Sequence, residues 1–207
     1  MAWTSIVTNG VPWNIYTDQR SIDNAQEIWN YFVGNGFTEE AAAGILGNIS
    51  QECFNNPGQI GLNYSITDPY TPRGLLMWTG QTNIDRLYSY TGSNWSDGTS
   101  QCAYINDNPN GWVFFPNASQ GYTYSWADYQ ALNDVYEATR AFCWEAERPG
   151  SPQMDKREGY AAYWFEQFTG SVPPGPTPPL PDPPMPTPDN FLLMAGRDIM
   201  RRTWFQH

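Results

Sequence analysis

The sequence predicts a mainly α (α+β) fold, a helical domain with a small β-region, followed by a proline-rich linker and a short terminal helix. Three observations carry this. Apolar residues recur at helical spacing in stretches that open on capping residues and close on Gly, Asn or Pro. Residues 58–80 lose that period and fill with Gly, Pro, Asn, Tyr and Thr, the composition of loops around a small β-hairpin. Ten of the 18 prolines then fall within residues 172–188, a density that neither helix nor sheet tolerates.

Each element has its own signals. Residues 1–20, with Trp3, Pro12, Trp13 and Tyr16, lack periodicity and read as an extended arm packed on the body. Asp23 and Gln26 have capping-box spacing and open a helix to about Val33, which Gly34 to Gly36 end. Thr38 caps the next helix and puts Glu39 and Glu40 at its positive end. Ile45, Leu46, Ile49 and Cys53 continue it, and Asn56 and Pro57 stop it. The pair forms an αα-hairpin with Glu52 at the far end. Further helices are expected at about 82–90, 99–106, 127–146 and 153–169, the last with Met154, Ala161, Trp164, Phe165 and Phe168 near one face and Gly170 as its stop. Residues 107–125 read as a turn-rich insertion over a cleft.

The organisation is therefore an arm (1–20), a helical domain (21–171), a linker (172–188) and a terminal helix (189–207). As polyproline II the linker spans roughly 50 Å, a semi-rigid spacer. The terminal segment, capped by Asp189 or Asn190 and running to Phe205, is too short to be stable alone. A partner protein is the favoured dock, ahead of the chain's own body and of a membrane surface.

Composition removes several functions. The chain has 207 residues, 40% of them hydrophobic, enough for one sizeable core. Lys and Arg number 10 against 21 Asp and Glu, a net charge of −11, so nucleic acid is not an expected partner. No long apolar run suggests a membrane span, and the first twenty residues lack the pattern of a signal peptide. Cys53, Cys102 and Cys143 have no close pair and read as buried free thiols. The single histidine is His207, so the usual peptidase, amidase and zinc-hydrolase sites cannot be assembled; no metal and no cofactor is expected.

Carboxylate chemistry remains, and Glu52 is its best candidate. The C-terminal end of a helix carries partial negative charge, and apolar neighbours add desolvation; both favour the protonated carboxyl that glycosidic cleavage needs. The surrounding residues also resemble a known family. Gly44-Ile-Leu-Gly-Asn48 with Gln51-Glu52 and Asn56-Pro57, then Gly74-Leu-Leu-Met-Trp78-Thr-Gly80, then Ala138-Thr-Arg-Ala-Phe142 and Glu147-Arg148-Pro149-Gly150, resemble the phage tail-type lysozymes in order and spacing over residues 21–170. The resemblance implies a lysozyme-like fold, the glycan strands of peptidoglycan as substrate, and Glu52 as catalytic acid. The family usually has Ser-Gly after that Glu, where this chain has Cys53 and Phe54, and Gln where it has Met77.

Such cleavage takes a second group. Asp68, among hydroxyl-bearing residues of the expected β-region, is the candidate, against a plain turn role before Pro69; Asp85 is next, and substrate assistance is the fallback. Asn48, Gly74, Met77 and Trp78 are the expected substrate-binding residues, while Tyr64, Tyr70, Tyr104 and Trp112 are further aromatic platforms. Glu147 and Arg148 read as an ion pair at a helix end. The functional expectation is a virion-associated muramidase made in the host cytoplasm and tied to a phage structural protein through the terminal helix. The alternatives are a lytic transglycosylase and a non-catalytic wall-binding virion protein.

Overall fold

The computed structural model describes residues 3–7, 13–61, 68, 70–92 and 94–175. The chain divides into two units, Met1–Thr177 and Pro178–His207, and all described residues lie in the first. The linker beyond Gly175, the expected terminal helix, Tyr64 and His207 lie outside the described residues.

The fold is mainly α. Seven α-helices are formed among the described residues: α1 (Gln19–Gly34), α2 (Glu39–Cys53), α3 (Gln81–Thr91), α4 (Gly98–Asp107), α5 (Trp126–Gln130), α6 (Val135–Phe142) and α7 (Met154–Thr169). Helix α2 is the axis of the body, packed against α1, α6 and α7. Its sequence dictates this: Ala41 to Ser50 are all buried, as an all-round apolar helix must be. Thr38 caps it as expected, its Oγ1 accepting the Ala41 N–H at 3.1 Å.

Three boundaries differ from the sequence expectation. Helix α1 begins at Gln19, not near Asp23, because Asp18 is the cap and its Oδ1 accepts the Arg20 N–H at 3.0 Å. That polar first turn is fixed by a tertiary bond, Ser21 Oγ donating to the Phe54 carbonyl at 3.0 Å. The helix expected over 127–146 is broken at residues 131–134. There the Thr38 hydroxyl donates to the Leu132 carbonyl, and Asp134 starts α6 afresh by accepting from the Tyr136 and Glu137 amides. After Phe142 the chain widens into a π-helical turn, Cys143–Glu147, which ends at Arg148 in a left-handed conformation. Such turns re-aim side chains and recur at functional sites.

Among the described residues the β-region is minimal. Its ladder consists of the isolated antiparallel bridges Ile60 to Arg73 and Arg73 to Trp78. The arm crosses the body through Trp3 Nε1 to Thr99 Oγ1 (2.8 Å), Thr4 N to Asn24 Oδ1 (2.9 Å) and Ile6 N to Asn56 Oδ1 (3.1 Å). All three cysteines are free and buried. No described helix is long and apolar enough to cross a membrane.

Candidate active site

Glu52 stands on the last turn of α2, its side chain 22% exposed, so the carboxyl meets solvent at one edge of a buried helix. Arg157 of α7 holds it: the Arg157 Nη2 donates to Glu52 Oε1, Nη1 donates to Asn48 Oδ1 at 2.9 Å, and Nε donates to the Pro152 carbonyl at 2.7 Å. The guanidinium is itself buried, which a fully bonded fork permits. This ion pair is a contact that the helix end and its apolar neighbours alone did not disclose.

Backbone packing brings these groups together. A Cβ on Gly47 would lie 2.6 Å from both the Arg157 carbonyl oxygen and the Ala161 Cβ, and one on Gly44 would lie 2.7 Å from the Ala138 carbonyl carbon. The bare backbone of α2 therefore lets α6 and α7 approach closely, and the Arg157 side chain reaches Glu52. Beyond Glu52 the chain reverses through Phe54 and Asn55, both left-handed at φ 56° and 63°. Asn55 is pinned inside by Ser50 Oγ, which donates to its Oδ1 at 2.9 Å, and by its own Nδ2, which donates to Ser21 Oγ at 3.1 Å.

A pocket of ≈ 320 Å³ is the candidate cleft. Met77, Trp78 and Thr79 form one wall, Arg86 and Tyr104 of α3 and α4 another, Trp112 and Phe115 of the 107–125 segment a third, and Glu147 of the π-turn closes it. Part of the 107–125 segment thus borders this pocket. Arg86 lies over the Trp112 ring at 4.2 Å, and the Trp78 and Tyr104 rings meet at 5.6 Å. Aromatic faces beside a cation and hydroxyls suit a sugar ring, apolar on its faces and polar at its rim.

Glu147 is the unusual member. Its Oε1 is buried without a hydrogen-bond partner among the described residues. Burial drives its carboxyl well above the ordinary carboxylate range, the charge of Glu52 pushes it the same way, and Arg157 opposes both. The expected Glu147 to Arg148 ion pair is not among the described contacts. Arg148 instead donates to the Phe115 carbonyl at 2.7 Å and stacks on the Phe115 ring. Two residues earlier, Glu145 is fully buried with neither oxygen hydrogen-bonded, and burial pushes it up to about 7. The Tyr124 and Asn117 amides and Arg148 oppose that rise, the amides without completing hydrogen bonds.

The other expected site residues separate. Met77 and Trp78 line the pocket. Gly74, at φ 81°, is behind them: a Cβ there would meet the Trp78 ring at 2.8 Å, so the glycine seats the indole and does not itself line the pocket. Asn48 is fully buried and donates to the Gly44 and Thr139 carbonyls, so it holds Arg157 and faces no solvent. Asp68 is exposed and forms a turn: its Oδ1 accepts the Tyr70 N–H at 2.9 Å and its carbonyl accepts from Arg73 at 2.7 Å. Asp85 is exposed on α3, and neither aspartate lines the pocket. Arg157 was missed although a signal existed. It lies three residues after Met154 and four before Ala161, inside the apolar stripe of α7, where an arginine must be paired.

The chain is 30% identical over 162 residues to Morphogenesis protein 1 of Bacillus phage B103. That match spans 76% of this chain but 42% of the relative's length. The family description "Phage tail lysozyme" matches residues 23–168, from the first turns of α1 to the end of α7, and takes in Glu52, Arg157 and the whole pocket. The chain belongs to the phage tail lysozyme family.

Proposed function

We propose that the protein is a muramidase-type glycosidase, carried on a phage particle, that cuts the glycan strand of bacterial peptidoglycan between its amino sugars. One observation carries the reading: a part-exposed carboxyl at the end of α2 is fixed by a buried arginine, in a domain that also holds an aromatic-lined pocket, although Glu52 is not among the residues lining it. Carboxyl groups suffice for glycoside cleavage, one supplying a proton to the leaving oxygen and one compensating the positive charge that develops at the anomeric carbon. Family membership supports peptidoglycan as the substrate. The name of the B103 relative, a morphogenesis protein, supports a place in the particle.

The test is digestion of purified peptidoglycan followed by mass spectrometry. Wild type is expected to release muropeptides with intact stem peptides, and Glu52→Gln to lose at least about a hundredfold in rate, the lower range for acid–base catalysis. New reducing ends mark hydrolysis, and 1,6-anhydro ends mark the transglycosylase alternative. Wall fragments that bind without being cut would assign the chain to wall binding alone, and new amino groups on stem peptides would overturn the glycosidase reading.

A further inference from the structure

The pocket inverts the charge of the protein around it. The chain carries 21 acidic residues against 10 Lys and Arg, yet the lining holds two arginines, Arg86 and Arg148, and one carboxyl, Glu147. Even with Glu147 ionised the lining keeps a positive balance, and burial, which favours its protonated form, only increases that balance. The two guanidiniums are differently engaged. Arg148 lies on the Phe115 ring and donates Nη2 to the Phe115 and Pro116 carbonyls at 2.7 and 3.3 Å, so part of its fork is taken up. Arg86 sits over the Trp112 ring at 4.2 Å and makes no hydrogen bond or ion pair among the described residues. The indole holds the cation through its face, which leaves the N–H groups at the guanidinium edge open. Asp85, its neighbour on α3, does not line the pocket. An arginine held in this way is a bidentate seat for a carboxylate.

We propose that the pocket recognises the acidic peptide stem of the glycan strand, with a stem carboxylate on Arg86 and short apolar stem side chains against Met77, Val113 and Ala146. The inference rests on the peptidoglycan reading above and deepens it. Position supports this occupant: Glu52 is not among the lining residues, so the bond it would cut lies outside the pocket, and what enters is a part of the substrate away from that bond. The stem is such a part, since it branches from one of the two amino sugars and ends in free carboxylates. Size agrees, because ≈ 320 Å³ is at the small end of ligand sites and takes a stem segment but not a strand. Trp112 and Phe115, both exposed, suit the sugar that bears the stem. Charge selects a carboxylate over a phosphate polymer of the wall. A polymer of phosphates needs several open cations, and Arg86 is the one lining arginine among the described residues whose donors are all open.

The readout is the affinity of the full chain for a disaccharide muropeptide, two amino sugars with the stem attached, measured by calorimetry for wild type, Arg86→Gln and Arg86→Lys. The probes are this muropeptide with free stem carboxylates, the same molecule with those carboxylates converted to amides, and chitotriose, which has no stem. Wild type is expected to bind the acid form tighter than the amide by about tenfold or more, the worth of a charge-assisted pair. Arg86→Gln should lose that preference, Arg86→Lys should keep part of it, and all three proteins should bind chitotriose alike. Equal affinity of wild type for acid and amide overturns the proposal, as does a preference that survives in Arg86→Gln. A loss in Arg86→Gln that is the same for all three probes makes Arg86 a support of the pocket alone and also overturns it. So does a glycerol-phosphate oligomer that binds wild type more tightly than the muropeptide, which would make the ligand a wall phosphate. Should Arg86→Gln not fold, the Arg86 Nε–H NMR signal of wild type decides, identified by its loss from Arg86→Lys. A shift with the acid form and not the amide supports the site, and a signal that stays in place overturns it. Binding is read without cleavage, so the two proposals fail separately. A wild type that cuts glycan without preferring the acid form loses only the stem site, and one with an Arg86-dependent preference that cuts no glycan loses only the glycosidase.

Discussion

At the scale of single residues, the π-turn concentrates the electrostatic cost of this molecule. Glu145 is sealed in without hydrogen bonds and titrates at about 7, against an ordinary value of 4.5. Between those values the folded state keeps a proton that the unfolded chain releases. The stability present at low pH is thus lost as pH rises from about 4.5 through about 7. Glu145→Gln has nothing to ionise and is expected to be the more stable protein above pH 7.5, by up to about 3 kcal/mol, with little difference at pH 5. Urea unfolding of both proteins at pH 5 and 8 checks this. A stability gap that does not widen with pH would show that Glu145 stays neutral or solvated throughout. Phe54 carries a cost of a different kind. It holds a left-handed C-cap where the family usually has glycine, and its ring, packed against the core, offsets the backbone strain.

At the scale of elements, α2 and α7 meet where neither has room to spare. Glycine inside a helix ordinarily costs roughly 1 kcal/mol relative to alanine, because the unfolded chain is freer. Gly159, in α7 with nothing near its missing Cβ, follows that rule, and Gly159→Ala should stabilise by about 0.5–1 kcal/mol. Gly47 reverses it. An added methyl there meets backbone and a neighbouring Cβ at 2.6 Å, so Gly47→Ala should destabilise by about 1–3 kcal/mol through overpacking. The same substitution pushes α7 outward and loosens Arg157 from Glu52, so activity on peptidoglycan should fall further than stability explains. Thermal unfolding paired with rate measurements separates the effects, and a Gly47→Ala protein as active as Gly159→Ala would break the argued link from packing to site.

At the scale of the whole chain, charge and proline divide the body from the tail. The net charge of −11 resides in residues 1–172, whereas residues 173–207 carry equal numbers of acidic and basic residues. Pro173 is buried on the body, so the useful cut lies after Gly175 and not before it. Truncation there is expected to leave the rate on soluble wall fragments within about twofold, a change of below about 1 kcal/mol in barrier, while abolishing incorporation into particles. Particle pull-down with the two proteins tests the second half. Normal incorporation of the truncated chain would show that the tether lies elsewhere.

What was legible in the sequence was local. Thr38, Gly170 and the apolar run of α2 disclosed real helix signals because caps, stops and periodicity act within a few residues, and Glu52 could be placed at the end of α2 on the same grounds. The histidine count excluded the usual imidazole chemistries without any structure. The Asp18 cap is local, bonding Arg20 two positions on, and the sequence reading passed it over for Asp23. The other failures share one cause: the break at residues 131–134, Arg157 on Glu52, and Arg148 turned from Glu147 to Phe115 each depend on partners brought in from distant parts of the chain. Arg157 is 105 positions from Glu52 and reaches it only because Gly47 leaves room for α7. Composition and spacing determined which kind of chemistry the chain can host. Close packing of α2 against α6 and α7 decided which charges face each other, because burial and Coulomb energy depend on distance in space and not on distance along the chain.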